Sequence, residues 1–194
     1  MAIVRRNILL SGVSGSLGDR WVIQMGRGGQ TIIRSKPGAS DQPPSPAQEA
    51  QRQRFREAIA YAKETKGEAV YVEKAAGTVK SAYNVAVADW LHPPEVVEVD
   101  LAAWRGGVGE TLRARVRDDV KVEKVTFVIA QADGTLVEEG AGVQVDGLWW
   151  AYVTTVDHPF GCAQGGPGGE ATVLVIAQDL PGHTASQSAG KSVT

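Results

Sequence analysis

The chain has almost no reactive sulfur: its 194 residues include one cysteine, Cys162. A single thiol excludes an intrachain disulfide and a cysteine-based zinc site. Histidine is scarce as well, limited to His92, His158 and His183. Each lies beside a proline or in an expected turn. No two have the i, i+4 spacing of a helical metal site, and there is no HExxH. Long apolar runs are missing too. The N-terminal MAIVRRNILLSG is too broken by polar residues for a signal-peptide core. No stretch approaches the roughly 20 apolar residues of a membrane span. The expectation is synthesis in a reducing cytosol without a signal peptide, with a virion or released extracellular particle left open as destination. Net charge is only −2, so nothing pulls the whole chain towards nucleic acid or membrane.

What is present is ordinary globular material with many turns. Apolar residues make up 43%, charged residues 22%, and glycine is abundant at 23 residues. Charge is unevenly spread. Residues 1–66 carry 11 Lys/Arg against 5 Asp/Glu, while residues 67–194 carry 9 against 17. Such asymmetry fits head-to-tail contact between neighbouring copies, or two differently solvated surfaces, better than a nucleic-acid surface.

The organising stretch runs from Gly12 to Phe55. Gly12, Gly15 and Gly18 recur every three residues, which is neither the dinucleotide fingerprint nor a Walker loop. Close turns explain them better than a phosphate cradle. Trp21–Met25 and Thr31–Arg34 read as strands around a glycine-rich turn, hence a β-hairpin. Residues 3–10 read as a strand or an arm. The connector 37–46 is extended, because its prolines fix φ and restrict their predecessors. Ser45, Pro46 and Gln48 then spell a helix start with a capping box. That helix runs to about Thr65, with Phe55, Ala58, Ile59 and Ala62 on one apolar face and Arg52 and Arg56 in an exposed row. Short helices follow over 68–76 and 79–91. His92-Pro93-Pro94 ends them and marks a domain boundary.

Past the prolines the pattern changes to short strands: 95–101, 111–117, 124–131, 136–138, 142–146, 148–155, 170–178 and a last one to about Lys191. Asp133-Gly134 and Asp146-Gly147 supply hairpin turns. Seven or eight strands in this length match an immunoglobulin-like sandwich without a disulfide. The expected fold is therefore an α+β N-terminal unit of hairpin plus helices (1–92), then an all-β immunoglobulin-like sandwich (93–194). Two strands are apolar on both faces: Trp149 backs onto Trp150, and Leu174 and Ile176 alternate with Val173 and Val175. A free-standing antiparallel sandwich has polar outer faces. Something is expected to cover these, either the N-terminal unit or another subunit.

The residues RARVRDDVKVEKVTFVIAQADGTLVEEG, LWWAYVTT and ATVLVIAQDLPGHTAS resemble the immunoglobulin-like modules of bacterial surface and virion proteins. The segments G-x-x-G, IRSKP and P-S-P-A-Q-x-x-Q-R-x-R-F resemble uncharacterised bacterial and phage-type proteins of the DUF6266 kind. The first resemblance covers about half the chain and implies a fold. Neither implies catalytic residues.

Other chemistry is weaker. His158 and Cys162 share the glycine-rich loop 157–170, but no orienting group completes a nucleophile there. Asp118, Asp119 and Glu123 could hold Ca²⁺ only weakly. Trp21, Trp90, Trp104, Trp149 and Trp150 would need to cluster to bind sugar, and their spread favours packing. No cofactor is expected. The expected function is a non-enzymatic structural protein, a subunit of a virion, tail-like particle or filament. The alternative is a carbohydrate- or cell-surface-binding module. Expected partners are other copies or other structural subunits. Expected contact residues are Trp21, Ile23, Ile32, Arg34, Arg52, Arg56, Trp149, Leu174 and Ile176.

Overall fold

The computed structural model describes residues 2–4, 12–26, 29–36, 38, 43–157 and 169–192. The fold is α+β, with three helices and antiparallel sheets among those residues. Two compact units divide it, Met1–Gln51 and Arg52–Thr194.

In the first unit the hairpin exists and is extended on both sides. Strands β1 (Ala2–Val4), β2 (Gly15–Leu17), β3 (Trp21–Met25) and β4 (Thr31–Ser35) form one sheet in the order β1-β4-β3-β2. The glycines at 12, 15 and 18 all have positive φ, at 79°, 133° and 60°. They shape the turns around β2, which other residues would strain. The expected strand over 3–10 is realised only as β1, and residues 5–10 lie outside the described residues. So do Pro37 and residues 39–42 of the connector.

Helix α1 (Pro46–Thr65) starts where its capping box predicts. The Ser45 amide donates to Gln48 Oε1 at 3.0 Å, and the Gln48 amide donates to Ser45 Oγ at 3.3 Å. Ala58 and Ala62 are buried, but Phe55 is 47% exposed and does not join them. It sits a full turn ahead of the packed segment. Helices α2 (Ala69–Ala75) and α3 (Ala82–Leu91) follow, the latter capped by Ser81. Ala62, Tyr71, Val85 and Ala86 pack around Val120, with Leu180 beside them. Val120 and Leu180 come from loops of the strand-rich region. This packing makes the helices part of the second unit. The compact division thus falls at 51/52, whereas the sequence places a boundary at the proline pair after residue 92.

The rest of that unit is a β-sandwich. One sheet contains β5 (Glu95–Asp100), β6 (Thr111–Arg117), β10 (Trp149–Val153) and β9 (Val143–Asp146), in that order. The other contains β12 (Thr184–Ser192), β11 (Glu170–Asp179), β7 (Val122–Gln131) and β8 (Leu136–Ala141). Period-2 alternation sends Leu112, Ala114 and Val116 inward from β6, and Val125, Phe127 and Ile129 inward from β7, all fully buried. They meet Val173, Val175, Trp150 and Trp104 in one core. Each such large side chain contributes about 1.5–3 kcal/mol of burial. One residue, Gly142, separates β8 from β9, so the chain changes sheets there. A Cβ on Gly142 would lie 2.7 Å from the Phe127 ring, and one on Gly140 would lie 2.1 Å from Tyr152.

Candidate functional site

The register of the second sheet fixes which side chains share its outer face. Leu174 lies between Ser188 of β12 and Val128 of β7, and Ile176 lies between Ser186 and Thr126. Val128 is followed across the sheet by Glu139, and Thr126 by Ala141. Leu174, Ile176 and Val128 are half-buried, while Ser186 and Ser188 are exposed. The centre of this face is therefore three aliphatic side chains ringed by small hydroxyls. Its charges, Lys124, Glu139 and Glu170, stand at the perimeter.

The outer face of the first sheet is built differently. Arg115 stands between Glu98 and Trp149, and Arg113 stands between Asp100 and Ala151. Arg117 pairs with Glu95 at 2.5 Å. The Arg113 guanidinium lies 4.8 Å from the centre of the Trp149 ring. A cation over an aromatic face occupies that ring, so Trp149 points outward but is already covered by its own sheet.

In the N-terminal unit, Trp21 faces Leu17 on one side and Ser35 on the other. Ile23 faces Gly15 and Ile33, and Met25 faces Thr31. Alternation puts Leu17, Trp21, Ile23 and Met25 on one face, a face without charge among these pairs. Arg34, beside Val22, and Ile32, beside Gln24, belong to the opposite face. Leu17, Trp21 and Met25 are 61%, 48% and 45% exposed, whereas Ile23 is buried. Among the described residues of this unit only Ile23 and Thr31 are buried.

The structure thus separates the expected contact residues. Trp21 joins Leu17 and Met25 as the exposed apolar side chains of a face on which Ile23 and Thr31 are buried. Ile32 and Arg34 are on the reverse side. Arg52 and Arg56 are exposed on α1, where Arg56 donates to Gln53 Oε1 at 2.7 Å. Leu174 and Ile176 share the sandwich face whose charges stand only at its perimeter, and Trp149 lies on the face crossed by Arg–acid rows. Leu17 and Met25 escaped the sequence reading, although the alternation of Trp21, Ile23 and Met25 signals Met25. Val128, Ser186 and Ser188 needed the strand register.

A buried polar chain joins the three helices. Tyr61 and Tyr71 hydroxyls are 2.6 Å apart, and the Tyr71 hydroxyl donates to Asp89 Oδ2 at 2.6 Å. Asp89 is fully buried, and its Oδ1 has no hydrogen-bond partner. Burial pushes its carboxyl up to about 7, opposed by the Tyr71 bond and aided by Asp118, Asp179 and Asp119. Asp179, also fully buried, is raised by the same cause. Its Oδ1 accepts from the His183 amide at 2.6 Å, and the His183 ring packs edge-on against Trp90. Asp118 Oδ2 accepts from the amides of Val120 and Lys121, and Asp119 pairs with His92 at 2.7 Å. Asp118 and Asp179 hold turns; among the described residues no three metal-ligating side chains come together. Trp104 and Trp150 are in the core, so no shared tryptophan platform forms among the described residues. His158 and Cys162 lie outside the described residues.

No family model matches the chain, and no curated protein matches it. Several solved structures resemble part of it. An engineered protein is 22% identical with a TM-score of 0.36, over 60% of this chain and 23% of that one. CopC from Methylosinus trichosporium is 19% identical with a TM-score of 0.34, over 52% and 92% of the two chains. A conjugative transposon lipoprotein from Bacteroides eggerthii is 10% identical with a TM-score of 0.25, over 50% and 92%. The chain spans about a quarter of the engineered protein's length, and none of these likenesses carries a role over to it.

Proposed function

We propose that this chain is a non-enzymatic structural protein, an immunoglobulin-like sandwich with an N-terminal docking unit. It acts as a subunit of a virion, tail-like particle or filament. The resemblance of residues 113–186 to the immunoglobulin-like modules of surface and virion proteins is a likeness of fold that is compatible with this role. One observation carries the reading: two separate sheets each have an outer face whose centre is uncharged and built on large apolar side chains, with the charges of the sandwich face kept to its perimeter. A free-standing antiparallel sheet keeps its outer face polar, and an exposed contiguous apolar patch marks a contact surface. The other outer sandwich face, with its Arg–acid rows, shows what a solvated face looks like in this chain. The N-terminal sheet adds weight: among the described residues of its unit only Ile23 and Thr31 are buried, and a sheet with so little burial gains stability by packing on something else.

The experiment is sedimentation velocity on the intact protein from about 1 to about 100 µM, a range set by the micromolar affinities of weaker interfaces. Mass rising with concentration supports assembly. A constant 20.5 kDa species throughout would remove the basis for the proposal.

A further inference from the structure

Building on the assembly reading, we infer that these two faces, each uncharged at its centre, are each other's partners in neighbouring copies. The N-terminal sheet of one chain docks, through Leu17, Trp21 and Met25, on the Leu174–Ile176–Val128 face of the next. Three features favour this pairing over self-pairing of either face.

The first is size. Leu17, Trp21 and Met25 are long and protrude, at 61%, 48% and 45% exposure. The sandwich face has its aliphatic side chains half-buried among the serines of β12. Large groups against small ones interdigitate; large against large leaves gaps. The second is charge. Residues 1–51 carry six Lys/Arg against three Asp/Glu, and residues 52–194 carry 14 against 19. Docking unit one on unit two brings net charges of opposite sign together, whereas either face on its own copy opposes like charge. The third is shape. Both surfaces are four-stranded and antiparallel, and such sheets pack face to face about 10 Å apart.

A contact between different patches is heterologous and repeats from copy to copy. It builds a ring or an open filament, which fits the proposed role better than a closed two-fold dimer. The smaller sheet sets the footprint at about 17 by 19 Å, from five-residue strands and strand spacing. That is small, so the contact is reversible and shows itself at high concentration.

The test uses two full-length double variants and their mixture. Leu17→Lys with Trp21→Lys disables the donor face. Leu174→Lys with Ile176→Lys disables the acceptor face. The two damaged faces, both lysine-bearing, repel each other. Each variant alone is expected at 20.5 kDa by light scattering. An equimolar mixture is expected to give a species of twice that mass and nothing larger, because only one intact pair of faces remains. Wild type is expected to grow further. A mixture that stays monomeric while wild type assembles overturns this pairing and leaves assembly standing. A variant that dimerises alone also overturns it, and points to an isologous contact. Monomeric wild type at all concentrations overturns both. If Trp21→Lys unfolds the N-terminal sheet by circular dichroism, Met25→Lys on the same face replaces it.

Discussion

Asp89 shows how much one side chain can say about the whole. It is the one acid of α3, and it was not singled out from the sequence. Only the fold reveals that it is buried and bonded to Tyr71. Its carboxyl is raised from 3.8 to about 7, first by burial. Between those values the folded chain keeps a proton that the unfolded chain has lost. Stability therefore falls as pH rises from about 4 to about 7, and this contribution is flat above. Asp89→Asn keeps an acceptor for Tyr71 and removes the titration. Urea unfolding midpoints of wild type should drop more between pH 5 and pH 8 than those of the variant. Equal drops would mean Asp89 is already ionised at pH 5. Glu138 offers a second case. Its Oε1 accepts from the Tyr152 hydroxyl, the Thr155 amide and the Thr155 hydroxyl at 2.6–2.7 Å. Glu138→Ala strands those donors at a cost of about 1–3 kcal/mol, measurable by thermal unfolding.

Among the elements, helices and strand order of appearance were legible, because caps, prolines and period-2 patterns act locally. The Ser45–Gln48 box placed the start of α1 to the residue. Ser45→Ala should cost about 1 kcal/mol, read in the unfolding midpoint; no change would mean the box contributes nothing to the fold. What was not legible depends on partners far along the chain. Residues 3–10 read as a strand or an arm, of which β1 (Ala2–Val4) is the described part, but nothing marked β2, since a three-residue strand among glycines carries too little pattern. Phe55 belongs to the apolar helical face by spacing and is nevertheless exposed. The change of sheet at Gly142 is likewise a tertiary matter: glycine is needed because the rings of Phe127 and Tyr152 crowd positions 142 and 140. Gly140→Ala should therefore destabilise the sandwich by about 1–3 kcal/mol through overpacking. A thermal midpoint equal to wild type would show that Tyr152 moves aside freely.

For the whole molecule, the sequence indicated that Leu174 and Ile176 stand on an apolar second face, and the register places them outward. It could not show that Val128 and two serines complete the patch, or that Trp149 is shielded by Arg113. Nor could it show that the helices pack against Val120 and Leu180, which shifts the compact boundary from 92/93 to 51/52. Both faces, uncharged at their centres, are products of strand pairing, and the proposed role as a structural subunit stands on them. The most direct measurement is the molar mass of the intact chain by light scattering, from about 1 to about 100 µM at moderate salt. Mass is expected to climb above 20.5 kDa with concentration. A mass fixed at 20.5 kDa across that range would contradict it.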